Sequence, residues 1–241
     1  MKLSVVVPAY NEEKLIVDSL RAIKQALAAF TERNWTTELI VSNNNSTDRT
    51  AELAAAEGAH VVFEPVNQIS RARNAGAAAA TGDWIIFVDA DSYPSRELFA
   101  DAAEKIESGR YLAGGVTVKL DEGPFSARCV AAGWSRLSRI MKWAAGSFIF
   151  CRADAFRKVG GFSLELFASE EIDLSIKLKK LARSEGKRLI ILHKHPLITS
   201  GRKLKLYTRR DHLRLLVRGL FRPFATVKSR EACQIWYDGR R

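Results

Sequence analysis

The chain has 241 residues, 47% of them hydrophobic and 27% charged, so it can bury a sizeable core as one large α/β domain or two small ones. It has no run of about eighteen apolar residues, which excludes a transmembrane helix. The net charge is +11, and residues 201–241 carry +9 of it, with twelve Lys/Arg against Asp211, Glu231 and Asp238. A basic tail of this kind predicts an anionic partner: membrane phospholipid, a phosphorylated substrate or nucleic acid.

The opening "MKLSVVVPAYNEE" does not read as a signal peptide, because Pro8 and charged residues follow its short apolar run at once. It reads as a strand over 3–7 and a turn at Pro8. A helix capped by Asn11 follows, with Ile16, Leu20, Ile23, Leu27 and Phe30 at helical spacing. Strand 38–42 empties into Asn43, Asn44 and Asn45, and a short helix is expected from about Thr47. Strand 60–64 and an alanine-rich helix over 72–80 come next, the latter small enough for another element to pack closely on it. Strand 84–88 ends at Asp89-Ala90-Asp91, and a helix is expected from about Ser95. This alternation of near-continuous apolar strands and helices predicts a mainly parallel sheet covered on both faces. The second half is less regular. Strands are expected at 112–119, 146–152 and 188–192, a helix within 124–145, a tight turn at "GGF" (160–162) and a helix over 169–186 closed by Gly186. Cys129, Cys151 and Cys233 are odd in number and widely spaced, which fits a reduced cytosolic compartment and forms no metal-type cluster.

Four stretches carry chemistry. Asp89 and Asp91 form a hard-oxygen pair at the carboxyl end of a buried strand, where open α/β sheets bind ligands, and suit Mg²⁺ or Mn²⁺ that also binds phosphates. In "VVVPAYNEE", Tyr10 either stacks on a planar base beside helix amides that favour phosphate or carbonyl oxygens, or sits half-buried in a plain turn. Arg71 and Arg73 are placed to grip phosphate, to pair with Asp89 or to lie at the surface. Glu170, Glu171 and Asp173 crowd a helix N-terminus. They either offset the macrodipole or supply a general base whose proton affinity is raised by its neighbours.

Taken in order, "VVVPAYNEE", "NNNSTDRT", "ARNAGAAAATGDWIIFVDADS", "FRKVGGF" and "FASEEIDLSIKLKK" resemble the motif series of glycosyltransferase family 2, inverting enzymes of GT-A fold, over roughly residues 1–195. The resemblance implies a GT-A domain over 1–200, with a nucleotide-sugar and metal half (1–118) and an acceptor half (119–200), followed by a basic extension over 201–241. It implies that Pro8, Ala9 and Tyr10 line the nucleobase pocket and that Glu12 lies near the ribose and base. Asn43 and Asn44 occupy base-reading positions that usually hold Asp, Arg73 faces the nucleotide, and Asp89 and Asp91 hold Mn²⁺ or Mg²⁺ and the diphosphate. Glu171 stands at the catalytic-base position in place of the usual Asp, with Glu170 and Asp173 as rivals. A late His completes the metal shell in some relatives, which points to His195, with His193 beside it, or leaves both structural. The implied partners are a nucleoside-diphosphate sugar and a hydroxyl acceptor, lipid-linked or glycan.

The asparagines are read either as base contacts through a neutral amide or as loop, and Asp48 as support for the following helix. In 208–221, Leu213, Leu216, Val217 and Leu220 form one helical face flanked by Arg210, Arg214 and Arg218. That pattern fits either an interfacial helix on an anionic membrane, through residues 202–230, or a helix packed on the domain. Trp134 and Trp143 either flank the acceptor or fill core. The chain is expected in the cytoplasm, at most peripheral to the membrane. Rival readings are a nucleotidyltransferase, disfavoured by the lack of a Gly-rich phosphate loop, and a non-catalytic nucleotide-sugar binder, disfavoured by the intact carboxylates. Nucleic-acid binding is disfavoured by the sparse aromatics of the tail.

Overall fold

The computed structural model describes residues 1–121, 125–200, 227–229 and 231–233, with the backbone alone over 125–130. The chain runs β1 (Lys2–Ala9), α1 (Ile16–Thr31), β2 (Thr36–Asn43), α2 (Thr50–Ala56), β3 (His60–Phe63), α3 (Ile69–Ala79), β4 (Trp84–Val88), β5 (Ser92–Tyr93), α4 (Arg96–Glu107) and β6 (Tyr111–Leu120). It continues through α5 (Phe125–Met141), β7 (Phe148–Arg152), α6 (Ala153–Lys158), α7 (Glu170–Ser184) and β8 (Arg188–Thr199). The proposed amphipathic helix at 208–221 lies outside the described residues, as does the side chain of Cys129.

One eight-stranded sheet has the order β3-β2-β1-β4-β7-β6-β8-β5. The first four strands are parallel neighbours, β7 runs antiparallel to both β4 and β6, β6 and β8 are parallel, and β5 is antiparallel to β8. The sheet is therefore mainly parallel, as expected, with β7 reversed at its centre. Alternation along β1 feeds two cores. Val5 and Val7 pack with Leu20, Ile23 and Phe30 of α1 and Phe99 of α4, whereas Val6 faces α3 beside Ile85, Phe87, Phe156 and Phe162.

Two helix starts depart from expectation for physical reasons. The turn does not come at Pro8, since β1 continues to Ala9, and Asn11 is not the cap of α1, which begins only at Ile16. The backbone amides of Asn11, Glu12 and Glu13 donate instead to the side chains of Ser46 (3.1 Å), Thr50 (2.7 Å) and Asp48 (3.1 Å). Asn11 takes the left-handed conformation and accepts from the Thr47 amide at 2.8 Å. The alternating Ser-x-Asp-x-Thr of the second loop thus laces the first loop, and Asp48 also accepts from the Thr50 amide, the supporting role expected of it. Helix α3 begins at Ile69, earlier than the alanine run suggested, which puts Arg73 one turn inside it. Its small residues serve close approach: a Cβ on Gly76 would stand 2.4 Å from Val6 Cγ1.

Candidate active site

At the carboxyl ends of β1, β2 and β4 lies a cavity of about 340 Å³. Pro8, Ala9, Tyr10 and Glu12 form one wall; Asp89, Ala90 and Asp91 follow β4; Ile69, Ala72 and Arg73 come from α3. Residues 167–171 also line it, from the loop before α7 and its first turn, and Gly146 and Ser147 lie before β7. The expected nucleotide, metal and base residues therefore meet in one place, except for three.

Asn43 does not line the cavity; its Oδ1 accepts from the Ser46 amide at 3.0 Å. Asp173 is turned away and pairs with Lys177 at 2.7 Å, one turn along α7. His195 is not at the carboxylates either: it sits on β8 with Nδ1 2.9 Å from Asp101 Oδ2 of α4, and it does not line the cavity. It lies four residues before the strand end that reaches Asp91, roughly 13 Å along an extended chain. Trp134 and Trp143 are half-buried and do not line the cavity.

Asn44 does line it, but its amide is committed. Nδ2 donates to the carbonyls of Glu64 (3.2 Å) and Val66 (2.6 Å), and Oδ1 accepts from the Gln68 amide at 2.9 Å. That uses both of its donors and leaves one acceptor lone pair. An aspartate could not make the first two bonds, which explains an amide at this position: the side chain fastens the chain between β3 and α3.

Arg73 organises the centre. The guanidinium is buried, and its Nη1 donates to Glu170 Oε1 at 2.7 Å. Its Nη2 donates to Asp89 Oδ1 at 3.0 Å and to the Gly146 carbonyl at 2.9 Å, while its Cζ lies over the Phe162 ring, 5.1 Å from the centroid. A Cβ on Gly146 would approach Arg73 Nη2 to 3.0 Å, so glycine lets that carbonyl close in. The expected Arg73–Asp89 pair is present, and Glu170 is a second partner that sequence reasoning did not assign. Asn74, next in sequence, brackets Phe162 by accepting from its amide (3.0 Å) and donating to its carbonyl (2.9 Å). Gln68 donates to the carbonyls of Leu164 (2.9 Å) and Leu166 (3.0 Å). These two amides hold the loop over residues 162–166 to α3; the only signal for them was the coincidence of "RN" and "GGF" in one motif series. The described part of the tail reaches the same loop, where the Phe167 amide donates to the Val227 carbonyl at 2.7 Å and Lys228 pairs with Glu165 at 2.7 Å.

With Glu170 spent on Arg73 and Asp173 on Lys177, Glu171 is the carboxylate of this helix turn that faces the cavity without an ion pair among the described residues. Burial and then the adjacent Glu170 charge push its carboxyl up to about 8, against the pull of Arg73. The residue before this pair, Ser169, is in the left-handed conformation (φ 63°) and also lines the cavity.

Asp89 and Asp91 fit a hard divalent cation: two carboxylates around one residue, Asp89 with 25% of its side chain exposed to the cavity. Among the described residues no cluster of three or more His, Cys, Asp or Glu could hold a metal by itself. The pair is well anchored: β5 pairs with the end of β8, and the Ser200 amide donates to the Asp91 carbonyl at 3.0 Å.

Residues 4–158 match glycosyl transferase family 2. The uncharacterized glycosyltransferase EpsJ of Bacillus subtilis is 34% identical over 116 residues, which is 45% of this chain and 31% of EpsJ. The chain thus spans about a third of that relative's length. Among solved structures, Staphylococcus aureus TarS 1–349 in complex with UDP-GlcNAc superposes with a TM-score of 0.66 at 21% identity, covering 98% of this chain and 69% of that one. Glucosyl-3-phosphoglycerate synthase of Mycobacterium tuberculosis, in complex with Mn²⁺, UDP-glucose and phosphoglyceric acid, superposes with a TM-score of 0.62 at 20% identity, covering 97% and 80%. Both share the mixed α/β architecture of the GT-A fold. With the family match over well over half of its length and the motif residues gathered in one cleft, the chain belongs to glycosyl transferase family 2.

Proposed function

We propose that this chain moves a sugar from a nucleoside-diphosphate sugar, a UDP-sugar first among the candidates, to a hydroxyl acceptor with inversion, and that Glu171 is the general base. The observation that carries this reading is that one cavity brings together the Asp89/Asp91 pair, Tyr10 and Glu171, a carboxylate with no ion pair among the described residues that burial makes proton-avid. Both structural neighbours were crystallised with a UDP-sugar, and one with Mn²⁺.

Tyr10 and the β1 end take the base, Glu12 lies near the ribose, and Arg73 holds Asp89 in place facing the diphosphate. Asp89 and Asp91 would hold Mn²⁺ or Mg²⁺, which when bound neutralises charge on the departing diphosphate. Glu171 accepts the acceptor's hydroxyl proton as its oxygen attacks the anomeric carbon from the face opposite the diphosphate. The C–O bond to the acceptor forms as the bond to the diphosphate breaks, the electron pair leaves with the phosphate oxygen, and no covalent enzyme intermediate is required. The acceptor is taken to carry phosphate or to be lipid-linked. The named acceptor of TarS is poly(ribitol-phosphate) and the other neighbour holds phosphoglyceric acid, while residues 201–241 of this chain carry +9. The test is Glu171→Gln: transfer is lost by roughly 10²–10⁴-fold while donor binding persists. Retained turnover would move the base to Glu170.

A further inference from the structure

Helix α5 is inside out for a soluble surface helix. It turns serines toward the domain and large apolar side chains toward solvent. Ser138 is only 1% exposed, and Ser135 donates to the Val118 carbonyl of β6 at 3.3 Å. On the opposite face Leu137 is 42% exposed and Ile140 is 71%, the most exposed large apolar side chain among the described residues, with Met141 beside them. These positions, at i, i+3 and i+4, form one stripe. Arg136 and Arg139 flank it, both exposed, and Lys142 follows. The patch continues onto α7, where Ile176 is 53% exposed. Ser175 and Lys179, on either side of it, bond to the Ala144 amide and the Met141 carbonyl, each at 3.0 Å.

Charge narrows the choice of occupant. From residue 124 to 153 the sequence contains no Asp or Glu. A twofold self-contact through α5 would set Arg136 and Arg139 against their own copies with no acid on α5 itself among the described residues to meet them. The chain's own segment 201–226 is a poor cover, because it holds eight Lys/Arg against Asp211 alone. An apolar stripe edged by arginines is what a helix needs to lie in a lipid interface, with Leu and Ile sunk below the headgroups and arginines on the phosphates. The position is suitable too: Ile176 follows Glu171 by five residues, roughly 7.5 Å of helix rise, and Gly146 of the cavity lies just past Met141.

We infer that the outward face of α5, extended by Ile176 of α7, docks on an anionic lipid bilayer and sets the acceptor side of the cavity against it. This deepens the glycosyltransferase reading, on which the role of the cavity rests, and adds a contact surface distinct from the basic tail. The test is sedimentation of the full chain with vesicles of phosphatidylcholine alone or mixed with phosphatidylglycerol, a readout independent of turnover. Wild type is expected to partition onto the mixed vesicles far more than onto the neutral ones. Arg136→Ser and Arg139→Ser should each weaken that partition about fivefold, and Ile140→Ser about tenfold. Stability and donor-dependent thermal shift should stay unchanged in all three, since these side chains are exposed. Wild type that ignores the mixed vesicles would overturn the proposal, whatever a donor-binding assay shows of the active site. So would α5 variants that bind like wild type while neutralising Arg210, Arg214 and Arg218 abolishes binding. A concentration-dependent dimer that Ile140→Ser dissolves would also overturn it, in favour of a self-contact.

Discussion

Arg73→Met is the most informative perturbation of the site, because it keeps the stem and removes the guanidinium. Two carboxylates lose their partner. Glu170 is the costly one: the side chains of Arg73 and Glu170 are 3% and 7% exposed, so the variant strands a buried charge. Breaking such a pair costs about 3–5 kcal/mol. Asp89 is more open, and its share is about 1 kcal/mol or less. In a domain of this size each kcal/mol moves the midpoint by about 2–4 °C, so Tm should fall by about 6–24 °C. Urea unfolding and a thermal melt read this directly. The double variant Arg73→Met/Glu170→Gln should recover most of the loss, because the stranded charge is gone. A single-variant loss below about 1 kcal/mol, or a double variant no more stable than the single, would refute the view that Arg73 is the electrostatic hub.

Three further outcomes follow from the same geometry. The raised carboxyl of Glu171 makes a stability contribution that is complete below the ordinary carboxylate range and is lost as pH rises through about 8. Glu171→Gln should therefore raise Tm relative to wild type more at about pH 9 than at about pH 5, and a gap independent of pH would contradict the assignment. Asn44→Asp removes donors to the carbonyls of Glu64 and Val66 and should cost about 1–3 kcal/mol in denaturant unfolding, whatever it does to nucleotide choice. His195→Ala should leave metal-dependent donor stabilisation unchanged, since His195 is held by Asp101; a lost metal response in calorimetry would restore it as a ligand.

Much of the first half of the chain was legible because its signals are local. Strand β4 was read at its observed bounds from a continuous apolar run, and Ser95 caps α4 through its side chain to the Leu98 amide. The start of α1 was not legible: the amides of residues 11–13, where a helix capped by Asn11 would begin, are consumed by a loop some 35 residues away in sequence, and no local propensity reports that. Strand β5 and helix α6 have two and six residues, too short to show a period. The reversed direction of β7 is a property of the sheet, not of its apolar run. Within the site, residue types pointed to Asp89, Asp91, Glu170 and Glu171, which the fold brings to one cavity, but only their partners tell them apart. Glu170 and Glu171 are adjacent and chemically alike, and only the position of Arg73 separates a positioning acid from a candidate base. The family resemblance pointed to His195 as a ligand, whereas its ring pairs with Asp101, on another element.

The most direct test of the central claim is donor binding itself. A panel of UDP-, GDP- and dTDP-sugars is scored by thermal shift with and without Mn²⁺, on wild type and on Asp89→Asn. At about a hundred times Kd a bound donor adds about 2.7 kcal/mol, or a shift of about 5–11 °C. The account predicts such a shift for at least one donor, UDP-sugars first, dependent on Mn²⁺ and lost in Asp89→Asn. A shift with no donor in the panel, or one indifferent to both Mn²⁺ and Asp89, would contradict it.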